Sequence, residues 1–348
     1  MRQLKKIAVI GVYGSGADFT TGQAVKCHTL IDWMKEKYGA SEVVVVNTYR
    51  WKRNPLKLFY EIVSAMQNCR NIVIMPAQHG LKVFAPLTYE LNKIYHRNMH
   101  YIVIGGWLAE VLQKEPLIKK SLLSFDGLYV ELKSMRVKLE AIGMQNVYFM
   151  PNSRVFSEPG EHLVFDLRKP VRVCTYSRVV KSKGIEDAIT ICRRANEILK
   201  RNVFQLDIYG KIDKDYKDEF EQLMRTNSDV GEYQGCKDAD ETLSTLERYF
   251  ALLFPTYYEG EGFAGTILDA FAAELPIIAN DWKYNAEIIE DGVNGFLYPF
   301  RDVEKAAQKL VILYQNQALY ERIRCGCSES AKQYSTEYVM KEFVEKLR

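Results

Sequence analysis

Short runs of β-branched and other apolar residues recur along the chain, and the stretches between them are longer and amphipathic. Ile7–Ile10, Val43–Val46, Ile72–Met75 and Tyr101–Ile104 are such runs, each followed by a helix-like segment. This alternation predicts βαβ units and a parallel sheet, because strands covered by helices on both faces are apolar without interruption. A second series begins after Pro170, with Val171–Tyr176, Phe204–Tyr209, Ala251–Phe254 and Pro276–Ala279. Two α/β domains are therefore predicted, at 1–160 and 161–334, joined through Ser157–Pro170 with its Pro159, Gly160 and Pro170. From Val303 the pattern is helical with a break near Thr336, which leaves 335–348 as a last helix able to pack back on the first domain. No internal repeat or low-complexity tract interrupts this organisation.

Length supports the division, since 348 residues with 47% hydrophobic content exceed what one core usually serves. No stretch approaches the roughly 18 unbroken apolar residues of a membrane span, and MRQLKKIAVIGVYG runs into a strand without a small-residue cleavage site, so a cytoplasmic location is expected. The seven cysteines contain no CxxC pair and read as reduced and mostly structural. Charge is uneven: residues 1–165 hold 21 Lys/Arg against 13 Asp/Glu, while 166–348 hold 26 against 31. A basic first half favours an anionic partner.

Open parallel sheets bind ligands beyond the carboxyl ends of their strands, so chemistry is sought just after each run. The most informative segment is Phe254–Leu297, where a strand ends at Pro255 and a turn with Gly262 and Gly265 opens a helix. Glycines there let the backbone approach a ligand, and the free N–H groups of a helix start suit a diphosphate. Glu261 in the turn and Asp269 on the helix could bracket a nucleotide-sugar from opposite ends. The plainer alternative makes Glu261 a helix cap and Asp269 a solvent-facing residue.

This segment resembles the family-4 retaining glycosyltransferases of the GT-B fold, whose donor domain carries an E-x7-E motif around a Gly-Phe-Gly turn. The resemblance continues through Pro276-Ile277-Ile278-Ala279, Glu287-Ile288-Ile289 and Asp291-Gly292-Val293-Asn294-Gly295. It implies two Rossmann-like parallel-sheet domains facing across a cleft. It also places the first acid on Glu261, holding donor hexose hydroxyls, and the second on Asp269, contacting the ribose. Gly262, Phe263, Ala264, Gly265 and Thr266 become donor-binding residues. Asp269 is one methylene shorter than the family's Glu, and Ala264 replaces the second glycine. CTYSRVVKSKGIEDAI is similar to the family's Gly-Arg loop followed by Lys-Gly, with Ser177 in place of the glycine. By resemblance Arg178 and Lys183 neutralise the leaving diphosphate, as charge grows on the phosphate oxygen when the glycosidic bond breaks. Alanine at either position is expected to fold normally and turn over slowly. Two solvated surface cations are the bland alternative.

In the first domain Thr20-Thr21-Gly22-Gln23 starts a helix after Gly14 and Gly16, where the family keeps a glycine loop over the donor phosphates, so Gly16 and Gly22 join the donor set. The incomplete Gly14-Ser15-Gly16 pattern also reads as part of a dinucleotide fingerprint, but the second strand ends at Asn47 instead of an acid. Asn152 resembles the family's Pro-Asn at the domain end. His79 is the candidate for the histidine that members carry near the reacting sugar, although a lone histidine is commonly structural. Gly105-Gly106-Trp107 could form an acceptor wall, with Trp107 stacking on a sugar. Asp238-Ala239-Asp240 has diacid metal spacing, but Asp213-Lys214-Asp215 repeats it, and no metal is expected. Tyr49-Arg50-Trp51-Lys52-Arg53, followed by Leu56, Leu58, Phe59 and Tyr60, suits an anionic lipid interface or an ordinary helix with a basic edge.

The resemblance thus implies a retaining, metal-independent hexosyltransferase. It would move a sugar from a nucleoside-diphosphate donor, UDP-linked, to a glycan or polyprenyl-linked acceptor held by the first domain. No cofactor beyond the donor and no nucleic-acid partner is expected, and the protein would sit in the cytoplasm, peripheral to the membrane. The alternatives are a sugar-nucleotide epimerase or phosphorylase of the same fold and a noncatalytic carbohydrate-binding subunit.

Overall fold

The structure is a computed structural model and describes residues 5–14, 22–155 and 170–348. The chain divides into two units, Met1–Val155 with Ser335–Arg348, and Phe156–Tyr334.

In the first unit β1 (Lys5–Gly11), β2 (Val43–Asn47), β3 (Cys69–Ile74), β4 (Asn98–Ile102), β5 (Gly127–Val130) and β6 (Val147–Phe149) form one sheet in the order β2-β1-β3-β4-β5-β6. Every pairing is parallel. The apolar run of β1 is fully buried from Ile7 to Ile10, as a strand covered on both faces requires. Around the sheet lie α1 (Gly22–Tyr38), α2 (Pro55–Asn68), α3 (Gln78–Tyr95), α4 (Leu108–Lys114), α5 (Pro116–Leu123) and α6 (Lys133–Ala141). Asn54 caps α2 by accepting from Lys57 N at 3.2 Å, and Pro55 supplies the fixed φ of a first helical residue.

The second sheet is again parallel, in the order β12-β11-β10-β7-β8-β9. Its strands are β7 (Val171–Tyr176), β8 (Phe204–Tyr209), β9 (Gly231–Gly235), β10 (Leu252–Phe254), β11 (Ile277–Asn280) and β12 (Gly295–Tyr298). Connecting and covering helices are α7 (Ile185–Leu199), α8 (Lys217–Thr226), α9 (Thr242–Leu246), α10 (Gly265–Ala272), α11 (Asn285–Ile288), α12 (Val303–Gln315) and α13 (Gln317–Gln333). The chain winds outward through β7, β8 and β9, then returns to the other side of β7 with β10. Strand order therefore reverses between β7 and β10, and the loops beyond their carboxyl ends diverge to leave room for a ligand.

The last helix, α14 (Thr336–Glu345), belongs to the first unit. Val339, Met340 and Phe343 enter the core built from Ile7, Val9, Leu30, Met34 and Tyr129. The Phe343 ring meets His100 at 5.5 Å and Tyr129 at 4.8 Å, edge-on to both. Behind it, Asn98 donates to the Lys346 carbonyl at 2.9 Å, and Asn71 bonds Arg348 through both its N–H and its carbonyl. These buried amides are satisfied by backbone arriving from the far end of the sequence, which ties the segment to the sheet.

Candidate functional site

The site is built at the strand reversal of the second unit. After β7 the backbone runs through Ser177 and Arg178 to a 3₁₀ turn at Lys181–Lys183 that closes on Gly184. Gly184 has φ 73°, and a Cβ there would stand 2.3 Å from the Pro255 carbonyl oxygen after β10. Only glycine allows this approach. Tyr257 N donates to the Ser182 carbonyl at 2.7 Å, so the two loops are joined backbone to backbone. Gly210 does the same on the other flank, with φ 134° and no space for a side chain beside the Ser177 carbonyl.

This joining brings Lys183 and Glu261 together. Lys183 Nζ lies 2.5 Å from Glu261 Oε2, with the two side chains only 10% and 9% exposed. Fully buried Thr256 donates to the same oxygen at 2.8 Å. One carboxylate oxygen is thus engaged twice, and Oε1 accepts from none of the described residues. Glu261 does not cap α10, whose start at Ala264 has no side-chain cap.

Arg178 is exposed. The uncapped start of α10 follows the Glu261 turn, and its first N–H groups are oriented donors. Thr266, expected at the donor, donates its hydroxyl to the Tyr176 carbonyl at 2.9 Å, pinning α10 to the end of β7. Asp269 is half-buried on α10, not solvent-facing, and its charge helps burial raise the Tyr176 phenol above its ordinary value. Phe263 and Ala264 are buried, and Gly262, Gly265 and Ser177 are half-buried. Three features escaped the sequence reading. Trp282, in the loop after β11, donates its indole N–H to the Tyr258 carbonyl at 3.1 Å. Lys283 pairs with Glu259 at 2.7 Å. Asn280, ending β11, is buried and neither of its amide atoms is bonded among the described residues.

In the first unit His79 is exposed in the first turn of α3, and Trp107 stands at the start of α4 with its indole over Gly105. Gly22 opens α1, whereas Gly16 lies outside the described residues. The sequence reading also missed a buried ion pair at the carboxyl edge of this sheet, Lys26 to Glu131 at 2.7 Å, which only the fold brings together. The basic stretch before α2 leaves Leu56, Phe59 and Tyr60 81%, 47% and 73% exposed, beside exposed Lys52, Arg53 and Lys57. Asp213 is occupied in a turn, accepting from Asp215 N at 3.1 Å, and Asp238 and Asp240 are exposed. Among the described residues no group of three His, Cys, Asp or Glu gathers that could hold a metal, and no helix is long and apolar enough to cross a membrane.

Residues 165–329 match the family described as Glycosyl transferases group 1. The GtfA subunit of the UDP-N-acetylglucosamine–peptide N-acetylglucosaminyltransferase of Streptococcus pneumoniae is 30% identical over 187 residues, which is 51% of this chain and 35% of the relative. The poly(ribitol-phosphate) alpha-N-acetylglucosaminyltransferase of Staphylococcus aureus is 23% identical over 236 residues, covering 67% of this chain and 46% of the relative. The chain therefore spans less than half the length of these curated relatives. The structure of Anabaena Alr3699/HepE in complex with UDP superposes with a TM-score of 0.73 at 13% identity, covering 98% of both chains. The likeness to the group 1 glycosyl transferases thus lies in residues 165–329, and the solved HepE structure shares the fold with its two parallel six-stranded sheets.

Proposed function

We propose that the protein is a retaining glycosyltransferase that moves a sugar from a UDP-linked donor to a glycan or lipid-linked acceptor without a metal ion. The observation that carries this reading is the cluster at the β7/β10 reversal: Glu261 with an oxygen that none of the described residues bonds, Lys183 against it, exposed Arg178 and the uncapped start of α10. Glu261 Oε1 is an acceptor for a donor-sugar hydroxyl. Arg178 and the uncapped N–H groups of α10 are the donors this reading assigns to the diphosphate. As the bond from the anomeric carbon to the phosphate oxygen breaks, its electron pair passes to that oxygen, where these donors and Arg178 stabilise it. The acceptor hydroxyl bonds to the anomeric carbon on the same face and its proton passes to the departing phosphate, so no carboxylate base is needed. Relatives named for N-acetylglucosaminyl transfer make UDP-N-acetylglucosamine the first donor to test.

The test is a thermal-shift and turnover screen over UDP, UDP-N-acetylglucosamine and UDP-glucose, in which a ligand at 100 times its dissociation constant adds about 2.7 kcal/mol to stability. UDP release should persist in EDTA. Arg178→Ala should lower turnover about thirty- to a thousand-fold, corresponding to about 2–4 kcal/mol at the transition state, with a smaller loss of donor affinity. Arg178→Lys should recover part, because a point charge lacks the planar fork. Wild-type turnover in Arg178→Ala would place the diphosphate elsewhere, and loss in EDTA with recovery on Mg²⁺ would overturn the metal-free mechanism. Binding without turnover would leave a carbohydrate-binding module.

A lipid-linked acceptor is supported by the start of α2, where exposed Leu56, Phe59 and Tyr60 stand among Lys52, Arg53 and Lys57. Apolar groups beside cations suit an anionic bilayer surface. Binding to vesicles with phosphatidylserine should exceed binding to neutral ones and weaken with salt, and serine at the three apolar positions should abolish it. Equal binding to both vesicle types would refute the electrostatic contact.

A further inference from the structure

The Tyr258 ring lies close to both cations of the site. Its ring centroid is 5.3 Å from the Arg178 guanidinium carbon and 5.3 Å from Lys183 Nζ. The loop holds this ring in three ways. A Cβ on Gly260 would stand 2.7 Å from the ring edge, so the glycine leaves the space into which the ring packs. The Tyr258 carbonyl accepts from Trp282 Nε1 and from Glu261 N, both at 3.1 Å. Tyr258 N donates to Thr256 Oγ1 at 3.3 Å, the hydroxyl that also bonds Glu261.

Two cations converging on one spot repel each other, and a flexible arginine on an exposed loop has many rotamers available. An aromatic face attracts both through its quadrupole; it restrains Arg178 without pairing its charge, whereas the Lys183 ammonium is already paired with Glu261. We propose that Tyr258 is a positioning residue, an aromatic shelf that holds Arg178 ready for the diphosphate beside the Lys183–Glu261 pair, with Trp282 fixing the height of the shelf. This rests on the reading of Arg178 as a diphosphate contact and adds to it a residue that would touch the cations and not the substrate.

The experiment measures the dissociation constant of UDP by calorimetry for wild type, Arg178→Ala, Tyr258→Phe, Tyr258→Leu and the double variant Arg178→Ala/Tyr258→Leu. Leucine fills much of the space without a π face, and phenylalanine keeps the face. Tyr258→Leu should weaken UDP about three- to thirty-fold, the range of one to two such contacts, while Tyr258→Phe stays within about twofold of wild type. In the Arg178→Ala background the leucine change should cost clearly less, because part of its effect runs through the missing guanidinium. A merely structural tyrosine would give the same loss in both backgrounds. Weakened UDP in Arg178→Ala together with normal UDP in Tyr258→Leu, or equal losses in Tyr258→Phe and Tyr258→Leu, would overturn the shelf alone. Unchanged UDP affinity in Arg178→Ala, or no UDP binding by wild type, would remove the diphosphate reading and the shelf with it.

Discussion

Lys183→Met tests whether the site's lysine is first a structural partner of Glu261 and only then a phosphate contact. Methionine keeps the unbranched stem and removes the ammonium, leaving the Glu261 carboxylate, 9% exposed, with the Thr256 hydroxyl. Breaking a buried pair by removing one charge typically costs about 3–5 kcal/mol, because the remaining charge is desolvated and uncompensated. In a unit of this size each kcal/mol lowers Tm by about 2–4 °C, so a fall of about 6–20 °C is expected. Exposed Arg178→Ala should change stability by no more than about 0.5 kcal/mol. Removing both charges in Lys183→Met/Glu261→Leu should recover much of the loss, since a well-packed apolar pair replaces a buried ion pair at little cost. Scanning calorimetry on the four proteins decides the matter. A Lys183→Met variant melting within about 2 °C of wild type, with no recovery in the double variant, would show that the pair contributes little and that the lysine is free for the phosphate.

Two further perturbations have worked outcomes. Burial, with Arg348 nearby, pushes the His100 imidazole down to about 4. Its faces are taken by Asn98, Tyr129 and Phe343. Because the unfolded chain then binds the proton first, stability is complete above about pH 6.5 and falls by about 3 kcal/mol as pH drops to 4. His100→Gln should flatten the slope of urea midpoint against pH in that window, and an unchanged slope would assign the acid sensitivity to other groups. Gly184→Ala should cost at least about 2 kcal/mol, combining a left-handed backbone with the clash on the Pro255 carbonyl. Gly143→Ala at φ 89°, with nothing within 4 Å, should show the backbone part alone. Equal midpoints for the two variants would mean that the loop junction yields easily.

Strands with long apolar runs were legible in the sequence, and β7 and β8 have the bounds that hydrophobicity marked. The strands it missed, β5, β6, β9 and β12, are three to five residues long, and β9 reads GEYQG with glycine at both ends. Nothing local distinguishes such segments from loops; they become strands because the neighbouring edge is already in place. The break at Thr336 was legible because Ser335 is a cap, accepting from Tyr338 N at 3.4 Å. In the site, residue types and loops were readable, but pairings were not. Lys183 and Glu261 are 78 residues apart, and their ion pair follows from β10 lying beside β7, which periodicity does not reveal. The expectation that alanine at Lys183 would be innocuous to folding overlooked that partner. Tyr258 and Trp282 drew no reading from the sequence, although Gly260 so near Glu261 was a signal of close packing.

The first unit is discontinuous in sequence, with Phe156–Tyr334 inserted before its last helix. Thr336 N bonds the Arg154 carbonyl at 2.9 Å, so the chain leaves and re-enters this unit at one point. On the ribosome this has a consequence for timing. The sheet carrying His100 and Tyr129 must wait, with the seat of Phe343 empty, until the whole intervening unit has been synthesised. Asn71 and Asn98 wait equally for the backbone that satisfies them. For that interval the first unit lacks both the side chains that complete its core and the backbone that meets its buried amides. A release of synthesis anywhere in the inserted unit would leave the first unit unfinished.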